Sequence, residues 1–216
     1  GADDNASGTA AVMELARVLS QYQFDATLVF VGFDREEQGL KGAYAYTAGH
    51  APAQVKGMLS LDMIAYNIPG TGHDTVRFYD YVAGGTIKSD LATAFSAYGG
   101  GLATIDSGQE YGSDHSPFEL KGIDAALVIE YAVRDNPYYH RAGDAVETQD
   151  YIDYVYAAKV TRGVMGYLAT KAGLRGPSQL LAATVDGQDL TLDYAADEHG
   201  LADVTVRATD TQSLYV

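Results

Sequence analysis

Residues 28–40 read LVFVGFDREEQGL, an apolar run that passes directly into two adjacent glutamates. A continuous apolar run predicts a strand, spanning about residues 26–33, that is buried on both faces of a sheet. Glu36 and Glu37 then lie close to the end of that strand, where each carboxylate raises the cost of ionising the other. A divalent metal would relieve this cost. A solvated loop without a functional role is the alternative.

The composition restricts the classes of protein to which the chain can belong. It has 216 residues, 47% of them hydrophobic, and a formal net charge of −15. This acidity argues against nucleic acid and anionic membrane surfaces as partners, because both require basic patches. No apolar run reaches the length of about 18 residues that a membrane-spanning helix needs, which predicts no membrane insertion. Because the chain has no cysteine, any metal must be held by His, Asp and Glu side chains.

Helical and apolar segments alternate along most of the chain. From Ser7 onward the spacing of apolar residues predicts a helix, and Asp4, Asn5 and Ser7 all suit an N-cap. Further helices are predicted at about residues 40–47, 87–101, 114–121 and 148–171. Further strands are predicted at about residues 55–64, 75–82, 102–105 and 123–132. This alternation predicts an α/β fold with a largely parallel sheet covered on both faces.

The character of the sequence changes at residues 172–178, AGLRGPS, which have the Gly and Pro content of a linker. Beyond them, LTLDYA and ADVTVRATD alternate apolar and polar residues, as antiparallel strands do. The remaining stretch of about 38 residues is too short for a stable sandwich. We therefore predict two domains, residues 1–174 and residues 175–216. The second is a linker followed by a partial β module whose end is absent from this chain.

Four carboxylates and one histidine lie at junctions between predicted elements. Asp4 precedes the first helix, and Glu36 and Glu37 follow one strand. Asp62 ends another strand, and His140 follows the last long strand. Ligands in open α/β sheets collect at the carboxyl ends of strands, and oxygen donors with an imidazole fit zinc, manganese or cobalt better than calcium. Two metals sharing one bridging carboxylate would hold both a scissile bond and its attacking water.

Five motifs in order, GADDNASG, FDREEQGL, LSLDMIAYN, YGSDHSPF and NPYYHRAGD, make the chain resemble a known family. They resemble the co-catalytic zinc exopeptidases of the bacterial leucyl aminopeptidase type, over roughly residues 1–172. The resemblance implies a mixed, mostly parallel sheet sandwiched by helices. It also implies a zinc-dependent hydrolase that acts on peptides.

The resemblance assigns a role to each of the five junction residues. It implies that Asp4 bridges two metals, that Glu37 and His140 complete one site, and that Asp62 belongs to the other. Glu36 matches the family's general base, which takes a proton from the attacking water and hands it to the leaving amine. One glutamate would thus bind metal while its neighbour transfers protons.

Several further residues have weaker assignments. The resemblance implies that Asp114 and His115 shape a loop on the substrate side rather than bind metal. Tyr131 and Tyr139, which flank His140 in the sequence, are candidates for lining a substrate side-chain pocket. Packing in the core is an equal alternative for these tyrosines, because the chain has 17 of them.

The chain departs from the family at its start. A further zinc-binding histidine normally lies upstream of GADDNASG, whereas this sequence begins at Gly1 without an initiator Met, as an internal piece of a longer protein would. We therefore expect one zinc in this chain, at Asp4, Glu37 and His140, and two in the full-length protein. A second site that retains only Asp4 and Asp62 would be weak or empty. Missing upstream strands would also leave an exposed sheet edge.

The resemblance favours an aminopeptidase that hydrolyses N-terminal peptide bonds, with peptides as partners and the oligomeric state open. Arg134 and Arg141, near His140, keep a carboxypeptidase as an alternative, and the same framework hosts glutaminyl cyclases. A degenerate peptidase domain acting as a surface binding module is a further alternative. The tail, LTLDYAADEHGLADVTVRATDTQSL, resembles cadherin-like or immunoglobulin-like bacterial repeats. This second resemblance suggests a secreted or cell-surface bacterial protein.

Overall fold

The computed structural model describes residues 1–50, 52–177, 181–186 and 189–194. The chain divides into two compact units, Gly1–Arg175 and Gly176–Val216. The helices of the first unit are α1 (Gly8–Leu19), α2 (Lys41–Gly49), α3 (Ile87–Tyr98), α4 (Ser116–Glu119) and α5 (Tyr154–Lys171). The strands within the described ranges are β1 (Tyr22–Phe24), β2 (Met58–Leu61), β3 (Thr75–Asp80), β4 (Ala103–Gln109), β5 (Ala125–Glu130), β6 (Leu174–Pro177), β7 (Leu181–Asp186) and β8 (Asp189–Tyr194).

Four strands form the main sheet, in the order β2-β5-β3-β4. β2 runs parallel to β5 and β3 runs parallel to β4, whereas β3 and β5 are antiparallel. All six residues of β5 are buried, as expected for an apolar strand with a neighbour on each side and cover on both faces. The mixed, mostly parallel sheet that the resemblance implied is therefore confirmed.

Helices cover both faces of this sheet. Because side chains alternate along a strand, Ala126 and Val128 of β5 face one layer and Ala125 faces the other. Helices α1, α3 and α5 contribute buried side chains to the larger core, which contains Ala126 and Val128. Helices α2 and α4 contribute Ala43 and Phe118 to a smaller cluster around Ala125. The predicted arrangement of a sheet between two helical layers is confirmed.

The start of α5 differs from the prediction. The sequence pattern predicts a helix from about residue 148, but the helix begins at Tyr154. The Asp153 side chain accepts hydrogen bonds from the backbone amides of Val155 and Tyr156, at 3.0 and 2.9 Å. This N-cap satisfies amides that have no partner inside the helix, so the boundary lies at the cap rather than at the first periodic residue.

The prediction for residues 26–33 is wrong. β1 pairs with β6 in a separate two-stranded sheet, and residues 27–33 form no strand in the structure. Leu28 and Phe30 pack partly buried against the larger core, whereas the Val29 side chain is 64% exposed. Phe33 packs against the smaller cluster, so the segment contacts both cores without forming a strand. The hydrophobicity of a short run predicts that it packs on a core, but not that strands flank it.

The second unit contains a β-hairpin within its described residues. β7 and β8 pair antiparallel, from Leu181 opposite Tyr194 to Asp186 opposite Asp189. The predicted strand LTLDYA falls mainly within β8. ADVTVRATD, and most of the tail that resembles surface repeats, lie outside the described residues. Among the helices of the described ranges, none has both the length and the apolar character needed to cross a membrane.

Candidate metal centre

An irregular turn, Ala2–Ser7, presents Asp4 immediately before α1. The Asn5 side chain closes this turn: its oxygen accepts from the Gly8 amide at 3.0 Å, and its nitrogen donates to the Leu61 carbonyl at 2.9 Å. A Cβ atom on Gly8 would lie 2.1 Å from the same carbonyl oxygen, so glycine is required for this close approach. Asp4 is thereby fixed at the carboxyl end of β2.

Glu36 and Glu37 lie on a tight turn that leads into α2. The amides of Gly39 and Leu40 both donate to the Glu36 carbonyl, at 2.9 and 2.8 Å. Gly39 and Leu40 have φ angles of +95° and +56°, and this left-handed backbone reverses the chain within a few residues. The Leu40 side chain is buried, whereas the Glu37 side chain is 51% exposed.

His140 lies in the loop that follows β5 and the short helical turn Val133–Asp135. Its φ angle is +55°, a left-handed conformation that few residues other than glycine adopt and that is enriched at functional sites. The Tyr139 ring packs against the imidazole with ring centroids 3.9 Å apart. The backbone turn and this ring together fix the direction of the imidazole.

Asp4, Glu37 and His140 come together in space, and we call them the triad. The His140 Nε2 atom lies 3.0 Å from Glu37 Oε1 and 3.3 Å from Asp4 Oδ2. One donor atom from each residue lies within 4.8 Å of the other two. Ligand atoms around a tetrahedral zinc, each about 2.1 Å from the metal, are separated by about 3.4 Å. The donor set and its spacing therefore fit zinc.

The acids of the site repel one another. Burial raises the pKa of Glu36 to about 7, with further contributions from the charges of Asp62, Glu37, Asp114 and Asp4. The pKa of Asp4 is also raised, first by burial and then by the charge of Glu37. A cation bound between these groups would reverse these shifts, because an opposite charge favours the ionised form of a carboxyl.

Asp62 follows β2 and lies beside the triad rather than within it. Ser113 Oγ donates to Asp62 Oδ2 at 2.9 Å. Burial raises the pKa of Asp62 to about 7, and the charges of Asp4, Asp114 and Asp3 raise it further. Asp62 is therefore close enough to Asp4 for the two charges to interact, as an assignment to a second, neighbouring site requires.

Asp114 and His115 lie in the loop between β4 and α4. Burial raises the pKa of Asp114 to about 6, and its Oδ1 atom is buried without a hydrogen-bond partner among the described residues. His115 is fully buried, and its Nε2 atom is 2.8 Å from the Glu110 carbonyl oxygen. Burial lowers the pKa of His115 to about 4, so the imidazole is neutral at pH 7. Neither residue belongs to the triad.

The two predicted substrate-binding tyrosines lie in different surroundings. The Tyr139 phenol has a raised pKa, first because of burial and then because of the charges of nearby site carboxylates, including Asp4 and Glu37. Tyr131 instead has the Arg77 guanidinium 4.3 Å from its ring centroid. Tyr139 therefore lies at the triad, whereas Tyr131 packs against another side chain.

Four polar residues that were not predicted from the sequence hold the site together: Asp3, Glu130, Asn136 and Asp144. Asp144 accepts hydrogen bonds from the backbone amides of Asp3 and Asp4, at 2.7 and 3.1 Å. Glu130 could have been predicted, since it is a charged residue at the end of an otherwise apolar strand. A buried carboxyl at such a position needs a partner. Asn136 and Asp144 occur in loop-like sequence that gave no such indication.

Comparison with known proteins identifies one family model. The model described as peptidase family M28 matches residues 1–165. A probable leucine aminopeptidase of Arthroderma benhamiae is 31% identical over 184 residues, covering 81% of this chain and 49% of that protein. Aminopeptidase YwaD of Bacillus subtilis is 30% identical over 153 residues, covering 68% of this chain and 33% of that protein. The chain thus spans half or less of the length of these curated relatives.

Solved structures give a consistent result. An aminopeptidase from Aneurinibacillus sp. strain AM-1 has 33% sequence identity and a TM-score of 0.66, covering 85% of this chain and 42% of that one. BSAP, a zinc aminopeptidase from Bacillus subtilis, has 24% identity and a TM-score of 0.70, covering 79% of this chain and 42% of that one. A glutaminyl cyclase from Porphyromonas gingivalis has 21% identity and a TM-score of 0.59, covering 79% of this chain and 63% of that one. The last two similarities concern the fold alone.

Proposed function

This chain belongs to peptidase family M28, and on that premise we propose that it forms the metal-holding part of a zinc-dependent aminopeptidase. The observation that carries the proposal is the triad, in which Asp4, Glu37 and His140 have the donor types and spacing of a zinc site. When bound, zinc would polarise the scissile carbonyl and the attacking water. We propose one zinc per chain, and in the full-length protein a second between Asp4 and Asp62.

Glu36 is the general base of the proposed reaction. The turn that carries Glu37 also holds this carboxyl close enough to Asp4 and Glu37 for their charges to act on it, and this proximity supports a role in proton transfer at the metal. It accepts a proton from the attacking water as the new C–O bond forms. It then donates that proton to the leaving nitrogen as the C–N bond breaks.

The charge around the site supports a substrate with a free amino terminus. The charges of Asp62 and Asp114 raise the pKa of Glu36 beyond the effect of burial, and the charge of Asp114 also raises the pKa of Asp62. An ammonium group is stabilised in such surroundings, whereas the terminal carboxylate of a carboxypeptidase substrate would be repelled. We assign the ammonium contact to Asp114, whose buried oxygen has no partner in the described part of the chain. Tyr139, whose ring packs against His140, would contact the rest of the substrate.

The proposal is tested with the full 216-residue chain and trace zinc. The expected results are about one zinc per chain by elemental analysis, loss of that zinc in His140→Ala, and cleavage of leucyl p-nitroanilide but not of its N-acetylated form. His50→Ala is the matched control, because His50 bonds the Tyr46 carbonyl of its own helix at 2.9 Å and lies outside the triad. A chain that holds zinc and cleaves no substrate with a free amino terminus would contradict the proposed activity and favour a binding module.

A further inference from the structure

Three polar side chains next to the triad are excluded from water. Asp3 and Glu130 have no exposed surface, and Asn136 is 6% exposed. Buried polar groups must be hydrogen-bonded to avoid a large desolvation cost, and two buried carboxyl groups side by side are costlier still. We call these three residues the hub.

The hub is connected by a single amide group. Asn136 Nδ2 lies 3.2 Å from Asp3 Oδ2 and 2.9 Å from Glu130 Oε1. The other oxygen of each carboxyl accepts a backbone amide: Asp3 Oδ1 that of Ala65 at 2.8 Å, and Glu130 Oε2 that of Tyr66 at 3.0 Å. All four carboxyl oxygens therefore have a donor, which is required at complete burial.

Burial also disfavours the ionised form of both carboxyl groups. Burial raises the pKa of Glu130 to about 10, with the charge of Asp3 as the next cause. The pKa of Asp3 is also raised, first by burial, and the side chain of Glu130 opposes that rise. Ionisation of two buried carboxyl groups side by side is costly, which is why the hydrogen bonds to all their oxygens matter.

The hub links the segments that carry the ligands. Asp3 directly precedes Asp4, and Asn136 lies four positions before His140. The amides that the hub binds belong to the loop after β2, and Glu130 is the last residue of β5. One set of hydrogen bonds thus holds together the turn before α1, the loop after β2 and the loop after β5.

We propose that Asp3, Glu130 and Asn136 form a positioning unit that holds Asp4 and His140 at metal-binding separation. This inference rests on the proposed function, because it takes the triad as the zinc site. The hub residues contact neither metal nor substrate; they act through the backbone of their neighbours. Residues that support metal ligands in this indirect way typically contribute about 10- to 100-fold to metal affinity.

The test compares two asparagine variants of the full chain. Asn136→Ala removes the amide that joins the hub. Asn67→Ala is the matched control, because the Asn67 amide also bridges two carboxylates, Asp74 at 3.2 Å and Asp153 at 3.0 Å, and neither of these belongs to the triad or the hub. Zinc affinity is measured by competition with a chelator, and ligand geometry by the visible absorption spectrum of the cobalt(II) form. Neither measurement requires turnover, so failure of the proposed activity leaves both interpretable.

The expected result is a 10- to 100-fold loss of zinc affinity and an altered cobalt spectrum in Asn136→Ala only. Unchanged affinity in Asn136→Ala, or an equal loss in Asn67→Ala, would overturn the inference, because the effect would then be absent or merely structural. If Asn136→Ala does not fold, Asn136→Leu keeps a similarly branched side chain, removes the amide donor without adding a charge, and is judged by the same criteria. An unmodified chain that binds no zinc would overturn both the metal site and the role of the hub.

Discussion

Asp4 and Glu37 both lie within 3.3 Å of His140 Nε2, yet the chain holds these two carboxylates in different ways. Asp4 is surrounded by hydrogen bonds to distant parts of the sequence: its amide donates to Asp144, and the turn that carries it is bonded to Leu61. Glu37 lies half-exposed on a turn whose backbone hydrogen bonds stay within residues 34–42. The segment before that turn, residues 27–33, forms no strand.

The difference indicates where the metal would matter most for structure. On the Asp4 side, tertiary hydrogen bonds and the hub supply rigidity before any ion binds. On the Glu37 side, a metal ligand bond would add a fixed link between the turn and the rest of the unit. Metal-binding energy is folding energy wherever the site is incompletely formed beforehand, so we expect the glutamate turn to gain more order from zinc than the Asp4 turn.

The largest expected effect is a loss of catalysis when Glu36, on the turn that also carries Glu37, is substituted. Glu36→Gln keeps the size of the side chain but cannot accept a proton, so we expect kcat to fall by about 10²- to 10⁴-fold while zinc content stays unchanged. Glu14→Gln, on an exposed part of α1, is the control and should retain full activity. Steady-state hydrolysis of leucyl p-nitroanilide with parallel elemental analysis measures both. A fall below tenfold would remove Glu36 from the reaction.

The second prediction compares the stability contributed by two apolar segments, the buried strand β5 and residues 27–33, which precede the turn that carries Glu37. Leu127 in β5 is 1% exposed and packs against Met63 and Ile129, so Leu127→Ala should lower the free energy of unfolding by about 2–5 kcal/mol. Val29 is 64% exposed, so Val29→Ala should change it by less than about 0.5 kcal/mol. Urea denaturation without zinc measures both variants. A comparable loss in Val29→Ala would mean that the Val29 side chain is covered after all.

The third prediction concerns the loop that carries Asp114, whose charge acts on Glu36 and Asp62. Asp114→Asn removes the negative charge assigned to the substrate ammonium, and charge-assisted hydrogen bonds contribute about 1.5–3 kcal/mol. We therefore expect kcat/KM to fall about 10- to 100-fold, mainly through a higher KM. Asp106→Asn is the control, since Asp106 forms an exposed ion pair with Lys88. If the loss instead came entirely from kcat, Asp114 would act in proton transfer rather than in substrate binding.

The smallest predicted effect is the pH dependence of zinc binding. The pKa of Asp62 and of Glu36 is raised to about 7 without metal. In the unfolded chain these groups lose their protons first as pH rises above about 4, so the metal-free fold loses stability between about pH 4 and 7. Bound zinc opposes this loss because it favours the ionised carboxyl groups. Below pH 7, each proton that zinc displaces from these groups lowers the zinc affinity about tenfold per pH unit.

The increase in Tm caused by zinc should therefore be larger at pH 7.5 than at pH 5.5, as followed by differential scanning calorimetry with and without the metal. His140→Ala, which lacks a triad ligand, should show little increase at either pH. An equal increase at both values in the unmodified chain would mean that the site carboxyls are already ionised before the metal binds.

Much of this arrangement could be predicted from the sequence, but the difference between the two sides could not. AALVIE in β5 and LVFVGF at residues 28–33 have the same apolar character, yet only the first forms a ladder. Hydrophobicity reports that a segment packs on a core, and says nothing of which strands flank it. Likewise, Asp4, Glu37 and His140 could be proposed from motif order. The hydrogen bonds of Asn136 depend on a tertiary approach that leaves no local pattern.

The spacing of the triad along the chain has a consequence for the unfolded state. Its three members are separated by about 30 and about 100 residues, and closing such loops in a flexible chain costs entropy that grows only with the logarithm of loop length. A bound zinc is therefore a reversible cross-link that ties most of the first unit into two rings. A chain cut in an exposed loop inside either ring, such as the one containing Val82, would still have its pieces joined at one point by the metal.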